Sequence, residues 1–238
     1  VITGSVATNN GGGIFLNGGD ASLTNVKITN NSASHEGGGM YLMMANPTLT
    51  NVTITNNSTA SNDGGGIVSD LGSSPTLVNC ILWNDLPQEI YLIAGSVTVT
   101  YSNIQGGWDG EGNIDADPIF CNPDSGDFTL AENSPCIGTG ENGANMGAFG
   151  VGCEAINLAP VILDIAFDQQ IYEDGSLTIV VSATSVINAS MSFTATSDTS
   201  DVSVTMESTT LTATPAQDWN GSSLITVIVI DENGLSDT

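Results

Sequence analysis

A motif that returns about every 26 residues dominates the first hundred residues of the chain. Three glycine triplets carry this spacing, at Gly11–Gly13, Gly37–Gly39 and Gly64–Gly66. A Leu-Thr-Asn-Val segment follows each triplet, at 23–26, 49–52 and, as Leu-Val-Asn-Cys, at 77–80, and a shorter copy occupies 99–104. A period of this length predicts a stacked repeat fold in which every unit buries its apolar edge against its neighbours.

Within each repeat, apolar and polar residues alternate, which is the pattern of short strands. Strands that recur in the same order along a coil pair in parallel with their counterparts above and below. The equivalent apolar residues then form one inward stack, consisting of Ile28, Ile54, Leu82 and Ile104. We expect the glycines at the corners of the coil, and the pairs Asn30-Asn31 and Asn56-Asn57 in turns whose amides bond along the axis.

These segments resemble a known family. "GGGIFL…LTNVKITNNSA" and "GGGMYL…PTLTNVTITNNS" are similar to right-handed parallel β-helix repeats of the pectin-lyase-like superfamily, most closely to non-enzymatic versions in large bacterial surface and secreted proteins. The stretch "GGWDGEGNIDADPIF…GDFTLAENSPCIGTG…MGAFG" resembles the segment that closes such helices. The resemblance implies a β-helix with its closing segment over residues 1–153.

After Cys153 the glycine triplets stop, and residues 154–160 form a predicted linker. Six alternating segments follow, and they predict a β-sandwich over 161–238. The predicted strands are Val161–Phe167, Leu177–Ala183, Met191–Thr196, Val202–Met206, Thr210–Pro215 and Leu224–Asp231. This part resembles the cadherin-like, immunoglobulin-fold repeats of bacterial surface proteins. Those repeats have seven strands, so we expect the last one to come from a continuing polypeptide or a neighbouring subunit. The predicted fold class is therefore all-β.

The charge of the chain limits its partners. It has 26 acidic residues and a single basic one, Lys27, which gives a formal net charge of −25. Nucleic acids and anionic membrane surfaces are excluded, because both are bound through lysine and arginine. Apolar runs stay well below the ~18 residues that a membrane span needs, so no membrane insertion is expected. A strongly acidic surface favours hard cations such as Ca²⁺.

Two acidic sets are candidate calcium ligands. The first spaces its oxygen-bearing side chains two residues apart, as at the start of an EF-hand loop, and consists of Asp109, Glu111, Asn113 and Asp115. The second follows from the cadherin-like resemblance, because such modules hold Ca²⁺ at their junctions. Its candidates by position are Glu173, Asp174, Asp218 and Asp231.

Three of the four cysteines cluster within about thirty residues and lack the spacing of a zinc site, which indicates a disulfide and an oxidising compartment. We expect a bond that includes Cys153, with Cys136 as its partner and Cys121 as the alternative. Cys80 stands where other repeats have valine, so we expect a buried thiol there.

Catalysis is not expected. Polysaccharide lyases of the resembling fold use a basic residue, yet the chain has no arginine, and Lys27 lies on the outward face where other repeats have Thr53 and Ile81. Hydrolysis would need carboxylates facing one groove, but the acids of the repeats lie in turns, as does the single histidine, His35.

The sequence therefore predicts a secreted or cell-surface structural or adhesive protein, a stalk or extracellular fibre subunit with homotypic end-to-end contacts. The alternative is a carbohydrate-binding or polysaccharide-degrading β-helix. In that case the outward aromatics Phe15 and Tyr41 would stack on sugar rings, and surface glycans would be the partners.

Overall fold

A computed structural model describes residues 1–60, 63–163, 168–172, 174–187 and 189–238. The chain folds into two compact units, Val1–Ala155 and Ile156–Thr238. The division falls inside the predicted linker 154–160.

Unit 1 consists of short strands. In chain order they are β1 (Ile2–Thr3), β2 (Val6–Ala7), β3 (Ile14–Gly19), β4 (Ser22–Thr24), β5 (Lys27–Thr29), β6 (Ser32–Ala33), β7 (Met40–Ala45), β8 (Thr48–Thr50), β9 (Thr53–Thr55), β10 (Ser58–Thr59), β11 (Ile67–Asp70), β12 (Thr76–Val78), β13 (Ile81–Trp83), β14 (Ile90–Leu92), β15 (Thr98–Thr100), β16 (Asn103–Ile104), β17 (Phe120–Asn122), β18 (Asp127–Ala131) and β19 (Val151–Cys153). Two 3₁₀ turns, Pro123–Ser125 and Glu141–Gly143, lie in the described part of the same unit.

The first sixteen strands pair in parallel from coil to coil. A five-stranded sheet runs β1-β5-β9-β13-β16, and its neighbours run β10-β6-β2, β14-β11-β7-β3 and β15-β12-β8-β4. In the five-stranded sheet, Ile28 pairs with Ile54, Ile54 with Leu82, and Leu82 with Ile104, and all four are buried. The predicted inward stack is therefore confirmed. These side chains pack with Leu49, Leu77 and Cys80 in one core.

The glycine triplets do two different things at the corner of a coil. Their first members require a left-handed backbone, with φ of 67° at Gly37. The second members lie against the next coil. A Cβ added at Gly38 would stand 2.6 Å from the carbonyl carbon of Ser58 and closer still to the N and O atoms of that residue. The triplet recurs from coil to coil because both requirements apply again at each of these corners.

The two members of each asparagine pair have different roles. The first member of each pair takes a positive φ, 56° at Asn30 and 58° at Asn56, and so makes the turn. The second member is buried and points along the axis. The Nδ2 of Asn31 donates to the Oδ1 of Asn57 at 2.9 Å, and the Nδ2 of Asn57 donates to the Oδ1 of Asp85 at 2.8 Å. The expected amide bonding between coils is confirmed, and we call this chain of contacts the asparagine ladder (Asn31, Asn57 and Asp85).

Residues 118–153 lie against the outer face of the five-stranded sheet. Strands β17, β18 and β19 form a sheet in which β18 is central, antiparallel to β17 and parallel to β19. Phe120, Phe128 and Leu130 of this sheet pack in one cluster with Ile81 of β13, together with Cys136 and Met146. The segment that resembles a closing element thus covers a side of the coil.

Unit 2 is antiparallel throughout its described residues. Its strands are β20 (Val161–Leu163), β21 (Leu177–Val180), β22 (Ser182–Thr184), β23 (Met191–Ser197), β24 (Val202–Glu207), β25 (Thr210–Pro215), β26 (Ile225–Asp231) and β27 (Ser236–Asp237). They form sheets of order β20-β22, β21-β25-β24 and β23-β26-β27 around a small core that includes Val181, Leu211 and Val227.

One predicted strand of unit 2 differs from the structure, and another is described only in part. Residues 164–167 of the predicted strand Val161–Phe167 lie outside the described residues. The predicted strand Leu177–Ala183 is wrong as one element, because the chain changes sheets at the buried Val181. Before that residue β21 pairs with β25, and after it β22 pairs with β20.

Candidate functional site

The outward-facing side chains of the five-stranded sheet contact residues 118–153. The Nζ of Lys27 donates to the carbonyl of Gly126 at 2.8 Å and lies 4.9 Å from the ring centroid of Phe128. The Oγ1 of Thr53 accepts from the backbone N–H of Ala148 at 2.9 Å. Lys27 is on the outward face, as the sequence predicts, but its ammonium group binds the chain itself. The Lys27, Thr53 and Ile81 line is an internal interface of unit 1.

The aromatic pair on β3 and β7 is aligned but largely covered. Phe15 pairs in register with Tyr41, and their rings stack at 5.5 Å between centroids. Tyr41 is only 5% exposed, and its hydroxyl donates to Asp70 at 2.6 Å. Burial, followed by this contact with Asp70, raises the pKa of Tyr41. The expectation that both rings offer a sugar-stacking face is wrong, since only Phe15 is exposed.

The disulfide joins Cys121 to Cys153 and closes a loop with a sequence separation of 32. It links β17 and β19, the two outer strands of their sheet. The pairing of Cys136 with Cys153 is wrong, and the alternative partner Cys121 is the one used. Cys136 is buried against the five-stranded sheet, where its Sγ accepts from the Nδ2 of Asn103 at 3.1 Å. The prediction of a buried thiol at Cys80 is confirmed.

Both free thiols are expected to be unreactive in the native protein. Burial raises the pKa of Cys80 to about 12 and that of Cys136 to about 11, and neither side chain is exposed. Because the thiolate is the reactive form, iodoacetamide at about pH 8 should modify neither residue until the chain unfolds. Mass spectrometry of alkylated samples, with and without denaturant, measures this. Rapid modification of the native protein would contradict the assignment.

The first calcium candidate set is bonded to its own chain. The hydroxyl of Tyr101 donates to the Oε1 of Glu111 at 2.7 Å, and the N–H of Gly106 donates to the Oδ1 of Asp115 at 3.2 Å. Asn113 accepts from the N–H of Ser102 and donates to the carbonyls of Val99 and Trp108. Asp109 is exposed. Asn113 thus secures the end of the coil rather than pointing to solvent.

The members of the second calcium candidate set also differ in their surroundings. Glu173 lies outside the described residues, and Asp174 and Asp218 are exposed. Asp231 is buried and accepts from the Nδ2 of Asn157 at 2.6 Å and from the N–H groups of Asn233 and Leu235. These hydrogen bonds, that of Asn157 foremost, lower the pKa of Asp231. Within the described ranges, no three His, Cys, Asp or Glu side chains form a group able to hold a metal ion.

An open cleft of about 240 Å³ lies on unit 2. Its wall includes Tyr172, which is 93% exposed, the half-buried Trp219 and the amide of Asn220. Gly221 supports the indole, since a Cβ there would lie 2.6 Å from Cζ2 of Trp219. Sequence reasoning missed this cleft. The signal available was an "Asp-Trp-Asn-Gly" turn placing a large aromatic ring outside a strand.

A pair of buried carboxyl groups was also missed. Asp85 is 2% and Glu89 5% exposed, and the N–H of Asp85 donates to the Oε1 of Glu89 at 3.0 Å. Aligning the repeats would have shown Asp85 at the position of Asn31 and Asn57. The repeat spacing does not indicate Glu89, which lies in the turn between β13 and β14.

Comparison with known proteins agrees with this geometry. The family model described as "Right handed beta helix region" matches residues 1–117. These residues form a right-handed parallel β-helix. The match ends just before the segment that covers the side of the β-helix. No curated protein and no solved structure gave a significant match to the chain. None of the helical segments in the described residues is long and apolar enough to cross a membrane.

Proposed function

We propose that the chain is part of a secreted or cell-surface structural protein in which the β-helix acts as a stalk and unit 2 is an immunoglobulin-fold, cadherin-like module. The proposed role is adhesive or fibre-forming, without catalysis and with homotypic contacts between stalks. The observation that supports it best is the axial bonding of the β-helix, in which strands and the asparagine ladder link every coil to the next.

Three further features fit a stalk. Repeat folds of this kind extend in one dimension and place their stability in contacts between neighbours, which suits a rigid spacer. The outward line that could have carried chemistry is instead used to hold residues 118–153. The high negative charge keeps such a surface soluble and away from nucleic acids.

The location can be tested on native cells. Antibodies raised against the whole chain should label intact cells or extracellular fibres in immunogold electron microscopy, and protease treatment of intact cells should remove the label. Label that appears only after the cells are opened would contradict the proposal.

The second candidate function is carbohydrate binding, and the cleft on unit 2 is the observation that favours it. An exposed and a half-buried aromatic ring with one amide group match a neutral sugar ring, whose apolar face stacks and whose hydroxyls need a donor and an acceptor. A glycan array probed with the full chain tests this. We expect binding that is lost in Trp219→Ala and kept in Phe15→Ala. The absence of any bound glycan, or equal binding by both variants, would contradict it.

Calcium binding stays a prediction, and the structure sets a condition for it. An ion at the first candidate set has to compete with Tyr101 for Glu111 and with Gly106 for Asp115. We therefore expect affinity no better than the millimolar range of extracellular modules, about 10⁻³ M. A rise in the melting temperature at several millimolar Ca²⁺, absent with Mg²⁺ and in Asp115→Asn, would support the site. Identical melting curves with Ca²⁺ and with EDTA would contradict it.

A further inference from the structure

The asparagine ladder ends in a carboxyl group. Its third position is Asp85, whose Oδ1 accepts from both the N–H of Asn57 at 2.6 Å and the Nδ2 of Asn57 at 2.8 Å. Glu89 then takes the place of the next rung, because its Oε1 accepts from the N–H of Asp85. The amides that link the earlier coils are thus replaced by two acids from one turn.

Each acid has one oxygen left over. The Oδ2 of Asp85 and the Oε2 of Glu89 are buried and have no hydrogen-bond partner. A buried polar atom without a partner is unfavourable, and a buried unpaired charge is far more so. Each acid nevertheless influences the pKa of the other through a side-chain hydrogen bond. One proton shared by the two acids would leave a single charge on the pair and give one acid a donor for the other.

A counter-ion cannot take the place of that proton. The chain has no arginine, and its single lysine is bound to Gly126. Calcium needs six to eight oxygen ligands, whereas a Cβ added at Gly66 would lie 2.9 Å from the Oδ2 of Asp85, which shows how closely the backbone packs there. The elements around the pair contribute the amide of Asn57 and the backbone of Gly66. Across the described chain, no third titratable side chain acts on either carboxyl.

We infer that Asp85 and Glu89 share one proton at neutral pH, with the protonated Glu89 donating to the ionised Asp85, and that this bond locks the ladder to the turn between β13 and β14. Asp85 is the ionised partner because two N–H groups of Asn57 stabilise its charge. Glu89 accepts the N–H of Asp85 but has no side-chain amide donor of this kind, and it keeps the proton. The lock opens when alkaline pH removes the proton and leaves two adjacent buried charges.

The direction of the pH dependence follows from this arrangement. Burial raises the pKa of both acids, and for Glu89 the charge of Asp85 raises the pKa further. The folded state therefore binds more protons than the unfolded state, whose carboxyls ionise near pH ~4. The stabilisation is fully present below that pH and is lost as the pH rises through the raised folded-state values. Where the difference is one proton, the folding equilibrium constant falls about tenfold per pH unit.

The test compares urea unfolding of the full chain from about pH 6 to pH 10, followed by circular dichroism. Glu89→Gln keeps a donor for Asp85 but cannot lose it. For each pH unit, the folding constant of the native chain should therefore fall by a factor about tenfold larger than that of this variant. Asp85→Asn restores an amide to the ladder and removes the charge that raises the pKa of Glu89, so its profile should become flat at a lower pH than that of the native chain. Glu132→Gln, at an exposed site, should follow the native profile. Equal slopes in the native chain, Glu89→Gln and Glu132→Gln would overturn the inference.

A direct measurement covers the case in which a variant fails to fold. Infrared spectra of the native chain at about pH 8, well above an ordinary carboxyl pKa, should retain the C=O band of one protonated carboxylic acid. Absence of that band would overturn the inference whatever the variants do. Repeating the unfolding series in millimolar CaCl₂ distinguishes the proton from a cation. Loss of the alkaline slope with Ca²⁺ would show that the pair binds metal, which also overturns it.

Discussion

Gly38→Ala is expected to unfold the coil around it, with a loss of more than about 4 kcal/mol in the free energy of unfolding. The new Cβ would stand within 2.6 Å of three backbone atoms of Ser58. Backbone atoms of a paired coil cannot rotate away as a side chain can, so relief requires the corner Gly37–Gly39 to move away from β10. That separation would also pull apart the strands on each side.

Gly150→Ala is the matched control. This glycine is exposed, has an ordinary φ, and a Cβ there would meet only the amide of Asn145, at 4.0 Å. We expect its stability to stay within about 0.5 kcal/mol of the native value. Chemical denaturation of both variants, followed by circular dichroism, provides the comparison. A native-like denaturation midpoint for Gly38→Ala would contradict the prediction, because the coils would then have room for the added methyl group.

Asn57→Ala has the second large effect, because Asn57 is bonded to both neighbouring coils. Its Oδ1 accepts from the N–H and the Nδ2 of Asn31, and its Nδ2 donates to the carbonyl of Ile28 and to Asp85. Truncation leaves these groups buried without partners, at about 1–3 kcal/mol for each. We expect a total loss of about 4 kcal/mol, allowing for some rearrangement and an entering water.

The control for this prediction is Asn17→Ala, on the exposed side of β3. Its stability should change by less than about 0.5 kcal/mol. Hydrogen exchange adds a local readout, since the amide of Asn31 should lose protection in Asn57→Ala and keep it in Asn17→Ala. Unchanged protection at Asn31 would mean that the ladder does not link the coils.

Much of the β-helix could be predicted because its contacts are periodic. Ile28, Ile54 and Leu82 meet in the core because each lies one coil from the next, and that distance is written into the sequence as a spacing. The glycine corners and the asparagine pairs follow from the same period. The prediction fails in unit 2 where the chain leaves a sheet in mid-segment, at Val181, since alternation continues through the change and gives no signal.

The sequence by itself determined the coil, its inward stack, its corners and the net charge. Only the tertiary structure decided what covers the outward face, which cysteine pairs with Cys153, and that Glu89 turns inward to meet Asp85. The physical reason is the kind of contact involved. Stacking joins equivalent residues at one fixed separation, whereas Lys27 meets Gly126 and Thr53 meets Ala148 across separations of 99 and 95 residues. Such contacts depend on the shapes of two finished surfaces and leave no period in the chain.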